Sequence, residues 1–179
     1  MARLKNSEVP FLETDRLVMR GFEESNFPNF AALLSDLRVM IHLGGKPFSE
    51  EESWRKYMSL RGAWSLLGFG YWDVFEKSNN EYVGYIGYCD FHRKTEPSIE
   101  GRPEIGWAVV YEQQGKGYAT EAAKAAMNWG ASKFGGVNPV CIMDPNYPAT
   151  KRVAEKCGFV EMAITDYQGE PWLLMEHLS

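Results

Sequence analysis

Short runs of alternating apolar and polar residues open, divide and close this chain, and helix-spaced apolar positions fill the stretches between them. From Arg16 to Phe22 the alternation is partial and predicts a first strand. Phe27, Phe30, Ala31, Leu33 and Leu34 then recur at helical spacing, until Gly44-Gly45-Lys46-Pro47 breaks the chain. Ser49-Glu50-Glu51-Glu52 has the form of a capping box: the serine hydroxyl accepts from an orphan amide and the glutamate three residues on reaches back. The helix it opens carries Trp54, Tyr57, Met58 and Arg61 at one-turn intervals and fades near Gly68.

The middle of the chain predicts strands. Phe69 to Lys77 is aromatic and β-branched, Ser78-Asn79-Asn80 is a turn, and Tyr82 to Tyr88 pairs back as a hairpin. A polar loop from Arg93 to Arg102 leads into a buried strand from Glu104 to Val110. After a glycine-rich turn, an alanine-rich helix runs from about Tyr118 to Lys133, then a short strand from Val140 to Met143. A helix from Ala149 to Lys156 stops at Gly158, where a left-handed cap favours glycine. Phe159–Thr165 and Trp172–Glu176 form a closing hairpin. The order β-α-α-β-β-β-α-β-α-β-β predicts an α/β (α+β) fold, a mixed sheet with helices on its faces and a single core.

Composition narrows this little. The chain has 179 residues, enough for one domain over 1–179, with residues 1–10 as a loose leader. A 45% hydrophobic and 24% charged composition is globular. The net charge of -5 lacks the basic footprint of a nucleic-acid binder; it suits an amine-bearing substrate, as it suits many enzymes. Cys89, Cys141 and Cys157 are scattered, so neither a disulfide framework nor a metal site is expected, and each reads as a buried thiol. No apolar run reaches the roughly 18 residues of a membrane span, and no secretion signal is visible, so a cytoplasmic protein without a membrane partner is expected.

The strongest chemical signal is Gln114-Gly115-Lys116-Gly117-Tyr118-Ala119-Thr120, between a predicted strand and a predicted helix. The first amides of a helix have no intrahelical acceptor, and the macrodipole adds positive potential there. A pyrophosphate satisfies both. Gly115 and Gly117 let phosphate oxygens approach the backbone, and Lys116 is placed for long-range attraction. A dinucleotide fingerprint needs glycine where Thr120 stands, and a P-loop needs Ser or Thr where Gly117 stands. An ordinary strand-to-helix turn remains the alternative.

Gln114 to Ala119 resembles the Q/R-x-x-G-x-G/A pattern of the GNAT acetyltransferase superfamily, and Ala119-Thr120-Glu121-Ala122 continues it. Glu13-Thr14-Asp15-Arg16-Leu17, Glu104-Ile105-Gly106-Trp107 and Arg152 to Phe159 are similar to segments of its RimJ/RimL-like branch, which acetylates N-termini of ribosomal proteins. The resemblance implies a central, mostly antiparallel sheet of about six to seven strands with about four helices. It implies acetyl-CoA in a cleft between two splayed parallel strands, its pantetheine arm along Val109 and Val110 and its pyrophosphate on the turn from Gln114 to Thr120. An amine, from a small molecule or a protein N-terminus, then attacks the thioester directly.

Glu104 is the candidate base, desolvated by Ile105 and Trp107, or else a strand-end carboxylate holding a backbone amide. Many GNAT enzymes carry an acidic tyrosine four residues before the glycine ending the last helix; here that residue is Ala154. The ribosomal branch has N-x-x-S on this segment, where Thr150 stands at the serine and Tyr147 at the asparagine, with Asn146 one residue earlier. Asn146 is therefore a candidate cofactor contact, and Thr150 or Tyr147 a candidate proton donor to sulfur. Trp54, Tyr57 and Trp64 are expected mostly in the core; Phe48 and Trp54 are also candidate walls of the acceptor pocket, with Glu96 and Glu100 at its mouth or simply solvated. His42, His92 and His177 share no ligand spacing and are assigned no catalytic role. A non-catalytic acyl-CoA-binding module is the rival reading, a nucleotide-binding enzyme a third, and either a monomer or a homodimer fits.

Overall fold

The computed structural model describes residues 9–178, so the predicted leader lies outside the described residues except at Val9 and Pro10. The elements are β1 (Leu12–Glu13), β2 (Leu17–Gly21), α1 (Phe27–Ser35), α2 (Leu37–Met40), α3 (Glu50–Leu67), β3 (Tyr71–Glu76), β4 (Tyr82–Cys89), β5 (Glu104–Val109), α4 (Tyr118–Lys133), β6 (Val140–Met143), α5 (Pro148–Lys156), β7 (Phe159–Tyr167) and β8 (Glu170–His177). Eight strands form one sheet in the order β1-β2-β3-β4-β5-β6-β8-β7. The sheet thus exceeds the predicted six to seven strands through the two-residue β1, and α2, a four-residue helix, is the additional helix.

Local chemistry sets the helix ends. The Ser49 amide donates to Glu52 Oε2 at 2.8 Å and the Glu52 amide to Ser49 Oγ at 3.2 Å, completing the capping box of α3. Gly68 ends that helix in the left-handed region at φ +73°. Among the described residues no helix is long and apolar enough to cross a membrane.

Both sheet faces are covered, which is why β3 and β4 read as nearly continuous apolar runs. Trp72, Val74, Ile86 and Tyr88 join one core with Ala122, Ala123 and Ala126 of α4 and Ala154 of α5. Tyr71, Tyr85 and Cys89, from alternate positions, join a second core with residues of α1, α2 and α3. Ala126 is fully buried, so a bulky replacement there would overpack the helix–sheet contact by about 1–3 kcal/mol.

Every strand pair is antiparallel except β5 with β6. Those two meet in register only at Glu104 and Val140, with the Val140 amide donating to Pro103 O at 3.0 Å. Beyond that point β5 holds its full ladder to β4 while β6 is laddered to β8. The sheet is therefore open between β5 and β6, and what fills the opening decides the function.

Candidate active site

The turn from β5 to α4 leaves its glycines beside open space. Gly115 and Gly117 have φ +76° and +83°, a left-handed geometry that strains residues with a Cβ. No heavy atom lies within 4 Å of a Cβ placed at Gly115, and at Gly117 only Arg16 Nη2 approaches, at 3.4 Å. No side chain caps α4, whose first turn closes when the Glu121 amide reaches Gly117 O at 3.1 Å. The preceding amides are the orphans of a helix start, and Arg152 and Lys156 of α5 flank them across the cleft. This arrangement fits a diphosphate: backbone donors, room, and two cations.

The turn is tied down from outside. Glu121 accepts from the Thr14 hydroxyl at 2.6 Å, the Arg16 amide at 3.0 Å and Arg16 Nε at 2.7 Å. Arg16 Nη1 then donates to Lys116 O at 2.9 Å. The Thr14-Asp15-Arg16 segment before β2 thus braces the helix start.

Two cavities open on the gap between β5 and β6. One, about 260 Å³, runs along Val109, the glycine turn and the face of α5. The other, about 480 Å³, lies among α1, α3, the segment from Met40 to Phe48 and the β7–β8 turn. Leu43, Trp107, Tyr147 and Thr150 line both, so the cavities meet there. At this junction Tyr147 lies flat on His42, with ring centroids 3.9 Å apart at 4°. His42 Nδ1 is 3.0 Å from Asp144 Oδ2, and the Tyr147 hydroxyl donates to Gln114 Oε1 at 3.2 Å. Gln114 Nε2 in turn donates to Val109 O at 3.2 Å.

The larger cavity ends in a charge cluster. Glu104, 5% exposed, accepts from Arg93 Nε at 2.7 Å and Nη2 at 3.1 Å. The guanidinium sits between the rings of Phe91 and Tyr167, 4.7 and 4.6 Å from their centroids. Burial raises the Glu104 carboxyl above the ordinary glutamate value and outweighs the opposing pull of Arg93 and Lys56. Glu104 is therefore a better proton acceptor than a free carboxylate, though half enclosed by its partner. The backbone amide hydrogen bond considered as its alternative role is replaced by this fork.

A family model of the acetyltransferase (GNAT) domain matches residues 16–160. The chain belongs to the GNAT acetyltransferases. It is an acetyl-CoA-dependent acyltransferase, and its fold is the GNAT fold. YkkB of Bacillus subtilis (strain 168), an uncharacterised protein, is 28% identical over 153 residues, covering 82% of this chain and 83% of that one. The crystal structure of an acetyltransferase from Agrobacterium tumefaciens superposes with a TM-score of 0.82 at 23% identity, covering 96% and 95% of the two chains. RimL, a ribosomal-protein α-N-acetyltransferase solved with coenzyme A, has the same fold, with a TM-score of 0.76 at 16% identity over 94% and 98%.

Within this GNAT frame the expected site residues separate. Val109, Gln114, Gly115, Gly117, Tyr118, Ala119 and Thr120 line the smaller cavity, Glu104 lines the larger one, and Tyr147 and Thr150 line both. Three expected cofactor contacts line neither cavity. The Val110 amide is used by Val83 O at 2.9 Å, Lys116 turns away to Gln113 Oε1 at 2.7 Å, and Asn146 is exposed in a turn held by Asp144. Phe48 walls the acceptor-side cavity, but Trp54 lies neither there nor in the core: it packs edge-on against Phe27 and is 37% exposed. Tyr57 and Trp64 are buried, and Glu96 and Glu100 are solvated. His42, Lys56 and Arg93 carry no motif signal, yet all three line the larger cavity. The partners of His42 and Arg93 lie 102 and 11 residues away in sequence, across a crossover and a loop.

Proposed function

We propose that this enzyme, as one domain in the cytoplasm, transfers the acetyl group of acetyl-CoA to a primary amine by direct attack within a ternary complex. The observation that carries this reading is the meeting of the two cavities at Trp107, Tyr147 and Thr150: a cofactor cleft and an acceptor cavity share one short wall. Acetyl-CoA supplies the thioester, with its diphosphate on the turn from Gln114 to Thr120 and its arm along Val109. The amine gives its ammonium proton to Glu104, directly or through water, and its nitrogen bonds to the acetyl carbon as the carbon–sulfur bond breaks. The second nitrogen proton leaves as the adduct collapses to the amide, and a proton passes through the hydroxyl of Thr150 or Tyr147 to the departing thiolate, so that the donor ends reprotonated. The three cysteines are free and buried, which suits a reducing compartment.

Calorimetric titration with acetyl-CoA, with ATP and NAD as controls, followed by a thiol-release assay over a set of amines, tests the reading. CoA-selective binding with amine-dependent thiol release is expected. Binding without release from any amine would mark a coenzyme A sensor instead. Glu104 adds a sharper expectation: kcat/KM rises with pH through a value above that of an ordinary glutamate, because only the ionised carboxylate accepts the proton. Glu104→Gln should remove that limb and lower turnover by roughly 10²–10⁴-fold while acetyl-CoA affinity holds. Unchanged turnover across the pH profile would sink the base assignment.

A further inference from the structure

The inner end of the acceptor cavity holds more positive charge than its chemistry uses. Arg93 and Glu104 neutralise one another through two hydrogen bonds. Lys56, reaching in from α3, lines the same cavity, and among the described residues its ammonium has no hydrogen-bond acceptor and no carboxylate within 4.0 Å. It feels Glu104 and Cys89 electrostatically without touching either. Burial and the Arg93 charge both pull its pKa below the ordinary lysine value, as expected for a cation lacking a partner. Asp90, nearby, is outside the cavity lining and accepts from the His92 amide at 2.8 Å. Asp144, also outside the cavity lining, is engaged by His42. One net positive charge is thus left at the inner end of the cavity, against the -5 of the whole chain.

An unpaired, partly buried ammonium is costly unless a ligand completes it. Such a site disfavours an acceptor that brings further cations and favours one that brings an anion beside its amine. Lys56 and Glu104 line the same cavity without coming within ion-pair distance of one another, so a cation and a proton acceptor border one space. Phe48, Phe91, Trp107 and Trp172 wall the remaining space with aromatic surface.

We infer that the acceptor is an α-amino acid with an apolar side chain, its carboxylate docked on Lys56 and its amine facing Glu104. This rests on the acetyl-transfer reading and narrows its acceptor class. The amine and carboxylate of an α-amino acid are separated by a single carbon, which matches two recognition groups that border one space without touching. A polyamine offers no anion to Lys56 and adds cations to a cavity that already holds one in excess.

The test uses the intact enzyme and acetyl-CoA with phenylalanine, methionine, their amides and spermidine, read as kcat and KM from thiol release. Each acid should exceed its own amide in kcat/KM by roughly tenfold to hundredfold, the range of a lost charge-assisted hydrogen bond. Lys56→Met should erase that difference by raising KM for the acid far more than for the amide, with both read on the pH plateau where Glu104 is ionised in either protein, while acetyl-CoA affinity holds. Acid and amide used equally by the wild type, or spermidine used best, would overturn the acceptor class and leave acetyl transfer standing. An equal loss for acid and amide in Lys56→Met would overturn the docking role, showing that Lys56 instead tunes Glu104. If acetyl-CoA binds but no amine releases thiol, the transferase reading fails and this inference fails with it. A fluorescence melt of Lys56→Met guards against misfolding, and Lys56→Arg should restore part of the preference for the acid.

Discussion

Tyr147 and Thr150 stand one helical turn apart at the start of α5, both facing the junction, yet their hydroxyls are not equivalent. The Tyr147 proton is directed at Gln114 Oε1, its ring is held flat by His42, and His42 is anchored by Asp144. Burial raises the Tyr147 pKa further above its usual value, so the phenol stays protonated at neutral pH but committed to an acceptor. The Thr150 hydroxyl has no hydrogen-bond partner among the described residues and is free to donate to a departing sulfur. Thr150→Val should therefore lower kcat by about 10–100-fold with little change in KM for acetyl-CoA. Tyr147→Phe should cost less, since it removes only a neutral hydrogen bond of about 1 kcal/mol. Steady-state kinetics on the two variants decides between them, and a larger loss in Tyr147→Phe would transfer the donor role to the tyrosine. Residue identity alone made both candidates; only the partner of each hydroxyl separates them.

At the scale of elements, the start of α4 is a device with two halves, the left-handed glycines that present amides and the Thr14–Arg16–Glu121 brace that fixes them. Gly117→Val puts a β-branched residue at φ +83° and a side chain into the approach to those amides. It should weaken coenzyme A binding by more than about 100-fold in calorimetry while circular dichroism stays native, because the strain is confined to one turn. Wild-type affinity in a folded variant would mean that the turn is only structural. The turn was legible in the sequence because glycine, helix start and preceding strand coincide there, and the capping box at Ser49 and the hairpin at Ser78-Asn79-Asn80 were legible for the same reason: each is a local rule met by local residues. β1 and α2 were not, being two and four residues long and too short to show a period. The brace was visible as a motif but not as a contact, since Thr14 and Glu121 are 107 residues apart. Val110, Lys116 and Asn146 lie beside cavity-lining residues but line neither cavity, being held by Val83, Gln113 and Asp144, which spacing cannot register once the chain leaves regular structure.

For the whole molecule, the sheet is held by antiparallel ladders everywhere except at the gap where the chemistry is expected, so the site can be polar and open while the core beneath α1 and α3 is dense. A buried carboxyl lies against that dense region. Asp73 of β3 is fully buried, and its carboxyl is pushed up to about 7, chiefly by burial, against hydrogen bonds from Tyr82 and Tyr57. Tyr57 has one hydroxyl proton and two acceptors in reach, Glu23 O at 2.7 Å and Asp73 Oδ2 at 3.2 Å. If the proton goes to the nearer carbonyl, a hydrogen bond between the phenol oxygen and Asp73 needs a proton on the carboxyl. Tyr82 donates to Asp73 Oδ1 at 3.1 Å in either state. The folded pKa lies above the unfolded value of 3.8, so the native state binds the proton more tightly. The stabilisation is fully present below about pH 4 and is lost as pH rises through about 7, at about 1.4 kcal/mol per unit of separation. Asp73→Asn mimics the protonated carboxyl, with an amide that donates to Tyr57 and a carbonyl that accepts from Tyr82. Its stability relative to wild type, from urea unfolding at pH 5, 6, 7 and 8, should therefore climb steadily with pH and flatten above 7. Because Glu104 titrates in both proteins, the difference between them isolates Asp73, and a difference that stays constant over this range would mean that the aspartate remains ionised in the core.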